Sequence, residues 1–411
     1  MNNNILRNYS RLTVSIFATA LCTSHALADG KTTANPDISL ILQAQYSDFK
    51  EDPENYELPG FMLGGEAGLD EAGFGLGHSE LVISSNIDDL YFGRLTLALD
   101  EHDGETEVEL EEGFIETLGL GAGITVKAGR FFSNTGYLNN QHAHMWDFID
   151  APLIYRGLFG NQLIDDGIQV RWLAPTDFFF QVGAEMGRGE RFPASGAEND
   201  GRGTQAFFAE IGGDVGPSHS WQLGVSHWSA DVLEREGGGH GHGHEEEGES
   251  EVASFSGTSD INAIDFVWKW APNGNFKQKN LKFQFEYFVR EEDGDIEMHG
   301  AEEEEESTYD GEQKGWYAQL TYQFTPNWRV GLRYDSVEVD NKGSDEEVLH
   351  EAGLDSEDHD PTRTSIMIDY AHSEFSLIRL QYNRDESSET SDDQIYLQYV
   401  MSLGAHGAHQ F

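Results

Sequence analysis

Residues 281–290 read LKFQFEYFVR. On an extended chain Leu281, Phe283, Phe285 and Tyr287 fall on one side, and Lys282, Gln284 and Glu286 on the other. A period of two is the signature of a strand with unlike surroundings on its two faces. The next such run repeats it: Trp316, Ala318, Leu320, Tyr322 and Phe324 alternate with Tyr317, Gln319, Thr321 and Gln323. Each run is close to the ~9–11 residues that a tilted strand needs to cross the hydrocarbon core of a bilayer.

Sixteen runs of this kind follow one another from Ile38–Phe49 to Gln394–Leu403. The segments between them alternate in length. Tight connections such as 88–90, 119–123, 175–177 and 325–327 are interleaved with long ones, among them 50–73, 133–166, 188–203, 231–261, 291–314 and 340–363. That layout predicts an all-β fold, a transmembrane antiparallel up-and-down β-barrel of about 16 strands, with long extracellular and short periplasmic connections. Closure removes the unpaired sheet edges that lipid cannot satisfy. The chain ends at Phe411, and counting back by twos puts Leu403, Met401, Tyr399, Leu397 and Ile395 on the lipid face, with Gln398 and Ser402 facing the lumen.

Residues 1–28 read as a secretory signal peptide. Arg7 and Arg11 precede the short apolar stretch Leu12–Thr23, and Ala26-Leu27-Ala28 is an A-x-A cleavage pattern. Residues 29–411 then form the barrel. Cys22, the only cysteine, leaves with the signal, so neither disulfides nor thiolate metal sites are available to the mature chain. The net charge of −49 excludes nucleic acid as a partner and favours cations near the surface. The partners expected are outer-membrane lipid and divalent metal ions, with a homotrimer as an open alternative for assembly, and the location expected is the outer membrane of a Gram-negative bacterium.

Two segments carry metal chemistry. Gly237–Glu251 (GGGHGHGHEEEGESE) alternates glycine with His240, His242 and His244, and Glu245 and Glu246 follow at once. Imidazoles beside carboxylates on a flexible backbone suit Zn²⁺ and its neighbours for loose capture. The acidic outer loops near 231–261, 291–314 and 340–363 could equally be solvated, mutually repelling surface. The second segment is the third outer loop, 133–166, expected to fold inward as a constriction. Its QHAHMWDF run places His142, His144 and Asp147 within reach of one another as a metal way-station, although local hydrogen bonding by the histidines is the reading preferred over it. Strand parity points Arg94, Lys127, Arg171, Arg333 and Arg379 into the lumen as pore-lining residues. There they face loop acids such as Asp147, Asp150 and Asp165, or neutralise wall carboxylates such as Asp335. No G-x-S-x-G, no H-E-x-x-H and no catalytic thiol is present, so no enzyme is expected.

Five stretches carry a resemblance: 35–48 (NPDISLILQAQYSD), 76–99 (LGHSELVISSNIDDLYFGRLTLAL), 105–120 (ETEVELEEGFIETLGL), 127–148 (KAGRFFSNTGYLNNQHAHMWDF) and the ending MSLGAHGAHQF. Through them the chain resembles porin-like outer-membrane proteins, and more closely the proteobacterial family labelled zinc-regulated TonB-dependent outer membrane receptors. That resemblance implies expression under zinc limitation and a role in zinc passage. Strands begin by Ile38, so a plugless diffusion channel is expected. No cofactor is required, and zinc enters as a transported or loosely bound ion. The alternatives are a non-conducting surface metal-binding or barrier protein, or a TonB-dependent metal receptor lacking a plug.

Overall fold

The computed structural model describes residues 36–64, 67–102, 105–195, 202–237, 252–300, 305–355 and 359–404. The expected signal segment lies outside those residues, as do His240, His242, His244, Glu245 and Glu246.

Sixteen antiparallel strands form the wall. They are Asp37–Phe49, a second strand interrupted between Gly73–Gly75 and Ser79–Asn86, Tyr91–His102, Glu105–Thr117, Ile124–Phe132, Ile164–Leu173, Phe179–Gly187 and Thr204–Val215. His219–Glu236, Val252–Trp270, Asn280–His299, Glu305–Thr325, Trp328–Gly343, Thr362–Ser373, Ser376–Glu386 and Asp392–Gly404 complete it. Each strand pairs with its neighbours in sequence, and the first closes on the last from Ser39↔Gly404 to Phe49↔Gln394. No described helix is long and apolar enough to cross a membrane. The strands make the crossing.

The two faces of the wall can be read rung by rung. One outward rung runs Trp268, Phe283, Leu320, Leu332, Ile366, Tyr382 and Ile395 through successive paired strands. The inward rung beside it runs Gln284, Gln319, Arg333, Ser365, Asn383 and Gln394. Leu320, Leu332, Ile366, Tyr382 and Ile395 belong to a broad band of exposed large apolar side chains, far more than a water-facing surface tolerates. In lipid the same band is the favourable face.

Five strands are taller than the sequence pattern suggested. Segments 231–261 and 291–314, expected as loops, are largely continued ladder up to Glu236 and His299 and from Val252 and Glu305. In 340–363 strand persists to Gly343, and a short helix, Glu346–Glu351, follows. The cause is an inversion of the alternation. On Asn280–His299 the lower outward residues are Leu281, Phe283, Phe285 and Tyr287, whereas the upper ones are Glu291, Asp293, Asp295 and Glu297. Inside, polar Gln284 and Glu286 give way to Ile296 and Met298, which are buried. Above the bilayer the outer face meets water, and the inner face meets protein.

That protein is the set of folded-in connections. Leu58, Phe61 and Met62 from 50–72, Leu153, Ile154, Tyr155, Leu158 and Phe159 from 133–163, and Val348, Leu349 and Leu354 from 344–361 form one apolar core with wall residues Trp228, Phe255, Phe288, Ile296 and Tyr309. The core therefore sits inside the barrel, toward the long-loop end.

Candidate functional site

The connection 133–163 enters the lumen, as expected of a constriction, and three carboxylates hold it. The first is Glu286 on the wall, which is fully buried. It accepts the backbone N–H groups of Tyr137 (2.9 Å) and Leu138 (3.0 Å), the hydroxyl of Tyr155 (2.8 Å) and the amide of Gln284 (3.2 Å), together with the Tyr317 hydroxyl. The loop reaches it through Gly136, whose φ is +83° and where a Cβ would lie 2.6 Å from Glu286 Oε2. No L side chain fits that conformation or that space.

The other two anchors are loop acids. Asp147 is held by Lys282 (2.7 Å), Arg329 and the Gln319 amide (3.0 Å). Asp150 binds Arg333 and Arg363, each at 2.8 Å, and takes hydrogen bonds from Gln381 and Asn383. Burial would raise both carboxyl pKa values. The facing cations outweigh it, Lys282 and Arg329 for Asp147 and Arg333 and Arg363 for Asp150, and hold both groups well below the usual carboxylate range. Beyond these anchors the chain turns into the helix Leu153–Phe159, buried on every side and ended by Gly160 in the left-handed conformation.

Between Leu138 and Asp147 the loop meets the opposite wall, and there the chemistry reverses. His142 and His144 leave a 3-10 turn, Ala143–Met145, with rings stacked 5.6 Å apart. They point at wall carboxylates. His144 Nδ1 lies 2.6 Å from Glu80 Oε1, and His142 Nδ1 lies 3.1 Å from Glu80 Oε2 and 3.5 Å from Glu111 Oε2. His142 Nε2 meets Glu112 Oε2 at 2.9 Å, and His78 Nε2 meets Glu111 Oε1 at 3.0 Å. Burial disfavours charge on His142, but Glu80 and Glu112 outweigh it and raise its pKa well above the ordinary imidazole value. Two sets, Glu80–His142–His144 and His78–Glu80–Glu111, bring ligand atoms close enough to share an ion.

Glu111 and Glu112 are adjacent in sequence yet both face inward. The ladder with Tyr91–His102 slips there, from Thr96↔Glu112 to Leu97↔Leu110, leaving Glu111 as the extra residue of a β-bulge. Before the bulge odd positions face in, as Glu109 does in pairing with Arg191. After it even positions do, as Glu116 does in pairing with Arg171.

The metal set expected from sequence is thus rearranged. His142 and His144 come together, but Asp147 is drawn away to Lys282 and Arg329 on the far wall. Its place is taken by Glu80, Glu111, Glu112 and His78. The signal for two of these was present: an acidic doublet, Glu111-Glu112, inside a strand of otherwise regular alternation. Arg94, Lys127, Arg171, Arg333 and Arg379 all lie on the inward face of their strands. Arg333 and Arg379 are buried, with Arg333 held by Asp150 and Asp335 and Arg379 3.6 Å from Asp369. Arg94 lies 3.5 Å from Glu112, Arg171 pairs with Glu116, and Lys127 stands over the Phe114 ring.

A closed sixteen-stranded barrel with apolar outer belt, polar inner face and an anchored inward loop is a porin-like outer-membrane fold, which places the chain in the Gram-negative outer membrane. Solved structures of that class superpose over nearly the whole chain. The anion-selective porin from Comamonas acidovorans matches at TM-score 0.53 and 11% identity, over 90% of this chain and 99% of that one. The channel DcaP of Acinetobacter baumannii matches at 0.53 and 12%, over 91% and 99%. The trimer form of in-vitro folded OmpT of Vibrio cholerae matches at 0.52 and 10%, over 90% and 99%. No family model matches the chain. By sequence the chain belongs to the same family as an uncharacterized protein of Aquifex aeolicus (strain VF5), to which it is 31% identical over 398 residues, 92% of this chain and 80% of that relative.

Proposed function

We propose that this chain is a porin-like channel passing small hydrophilic solutes across the outer membrane, without catalysis, and that divalent cations such as Zn²⁺ are concentrated at its outer end. The carrying observation is the set of inward-facing charged side chains left partly exposed, Arg94, Lys127, Arg171, Lys282 and Arg329, which a fully packed interior would not keep open to water. Concentration of cations is supported by an acidic hollow of about 330 Å³ on the tall strands, lined by Asp260, Glu291, Asp293, Asp310, Glu312 and Asp340 with one lysine, Lys342. His240, His242 and His244 with Glu245 and Glu246 extend the same reading, as does the resemblance to the zinc-regulated receptor group. A homotrimer is the assembly proposed, in keeping with the trimer form among the structural neighbours.

A second reading concerns the sign of the solute. Arg94, Lys127, Arg171, Lys282 and Arg329 are partly exposed on the inner face, and positive side chains there favour anions. Planar-bilayer recording of the purified protein decides. Ion steps with a cation-selective reversal potential and a Zn²⁺ current support the proposal. Absence of steps overturns the channel, and an anion-selective reversal potential without Zn²⁺ current overturns the cation preference. Replacing His240, His242 and His244 by Ser should lower zinc uptake at low zinc, and unchanged uptake removes that loop from the mechanism.

A further inference from the structure

We propose that Glu80, His142 and His144, with Glu111 beside His142, bind one resident divalent transition-metal ion, Zn²⁺ or a first-row neighbour, which clips the inward loop to the barrel wall. The proposal goes beyond solute passage and stands whether or not the barrel conducts metal.

Geometry carries it. Metal–ligand bonds of about 2.0–2.2 Å imply ligand–ligand separations of roughly 3.3–3.6 Å in a tetrahedral site. His142 Nδ1 stands 3.1 Å from Glu80 Oε2 and 3.5 Å from Glu111 Oε2, and His144 Nδ1 stands 2.6 Å from Glu80 Oε1. Opening these contacts to that range, by roughly 0.7 Å or more at His144–Glu80, seats an ion among them. Glu80, Glu111 and His142 are all more than nine-tenths buried, and Glu80 Oε2, Glu111 Oε2 and His142 Nδ1 make no hydrogen bond despite facing one another. Buried ligand atoms that converge without hydrogen-bond alignment call for an explanation, and a shared ion supplies one.

The surroundings agree. Glu112 Oε2 lies 2.9 Å from His142 Nε2, on the side of the ring away from Glu80 and Glu111. A carboxylate behind a ligating imidazole is the usual support of a metal site. Against the buried carboxylates Glu80, Glu111 and Glu112 stands Arg94, 3.5 Å from Glu112, with Lys127 a more distant charge. A dication bound in exchange for the imidazole protons keeps the three carboxylates compensated. Two imidazoles with carboxylates and no thiolate suit Zn²⁺, Co²⁺ or Ni²⁺ and disfavour Ca²⁺ and Mg²⁺, which take oxygen shells. The wall supplies Glu80 and Glu111 and the loop supplies both histidines, so the ion joins two parts of the chain that the other anchors leave unjoined.

The test uses the full chain with His240, His242 and His244 replaced by Ser, so that the outer loop does not contribute. After chelation, Co²⁺ titration should give one equivalent with the intense visible absorption of a four-coordinate site, displaced by Zn²⁺. In that background His142→Ala with His144→Ala should abolish the absorption, and Glu112→Gln, which leaves every ligand in place, should weaken Zn²⁺ binding about 10–100-fold. His144→Gln alone, at the edge of the cluster, serves if the double variant does not assemble. A weak octahedral Co²⁺ spectrum, or equal Zn²⁺ affinity with and without His144, overturns the proposal. Because binding is read at equilibrium, these outcomes are independent of conductance, on which the channel reading stands or falls.

Discussion

Replacing Glu286 by Gln should release the start of the inward loop without dismantling the barrel. Glu286 offers two oxygens to five donors: the amides of Tyr137 and Leu138, the hydroxyls of Tyr155 and Tyr317, and the side-chain amide of Gln284. Glutamine keeps the volume but has one oxygen, and its NH₂ group turns a donor toward other donors. At least two buried donors then lack an acceptor, at roughly 1–3 kcal/mol each, or about 4 kcal/mol in all. The ladder from Asn280 to His299 is made by backbone groups and does not depend on this side chain, so the loss should fall on the loop. At tenfold per 1.4 kcal/mol, opening of the loop becomes more frequent on the order of 10³-fold. Hydrogen exchange followed by mass spectrometry should show faster exchange of the Tyr137 and Leu138 amides, with wall amides such as Leu380 unchanged. Exchange at the two loop amides within tenfold of the parent would refute the anchoring role. Gly136→Ala, which drives a Cβ to 2.6 Å from Glu286 Oε2, should give the same pattern from the loop side.

Asp150→Asn leaves Arg333 and Arg363 buried with only the more distant Asp335 and Asp385 as counter-charges, and should cost about 3–5 kcal/mol in chemical unfolding from lipid vesicles. The pH dependence of that difference follows from the lowered carboxyl pKa of Asp150. A depressed folded value means its stabilisation is complete above the unfolded value of roughly 4 and is lost as pH falls through the folded one, so parent and variant should differ by the same amount from pH 7 to 5 and converge only in stronger acid. Deleting Glu111 should be tolerated by the wall, because Leu97↔Leu110 and Thr96↔Glu112 are already adjacent rungs once the bulge residue is gone. The variant should still give the heat-modifiable band of a folded barrel, whereas deleting Gln284 from a regular ladder exchanges the faces of half a strand and should not.

Strand pairing was legible because lipid enforces one rule along the whole belt. Leu281, Phe283 and Phe285 outward, with Gln284 and Glu286 inward, is the same statement in the sequence and in the structure. The rule fails where its cause ends. Above the bilayer, Glu291 and Asp293 face water and Ile296 and Met298 face the folded-in loops, so the alternation continues with its sign reversed. Read with one fixed polarity, those residues look like an acidic loop; read for period alone, they are still a strand. The inversion point therefore marks the outer edge of the lipid belt, and the extra rungs above it exist because 50–72, 133–163 and 344–361 give their inner face something apolar to cover.

The candidate site was legible only on its loop side. His142 and His144 sit two apart in an exposed-looking run, and proximity in sequence suggested Asp147 as their partner. Register decides otherwise. Trp146 is buried and donates its indole N–H to Gln141, and from that point the loop crosses the lumen, carrying Asp147 to Lys282 and Arg329 on the far wall. Its replacements come from strands separated from the histidines by 30 residues or more along the chain, at Glu80 and Glu112. A strict two-residue period would have turned one member of the Glu111-Glu112 pair outward toward lipid, where a carboxylate is costly. The bulge avoids that by turning both inward, which concentrates charge on the stretch of wall facing the two histidines. The opposite wall meets loop acids with arginines and is complete in itself. This one meets loop imidazoles with an excess of carboxylate, and that asymmetry, set by a single extra residue in the ladder, is what makes it the place to look for an ion.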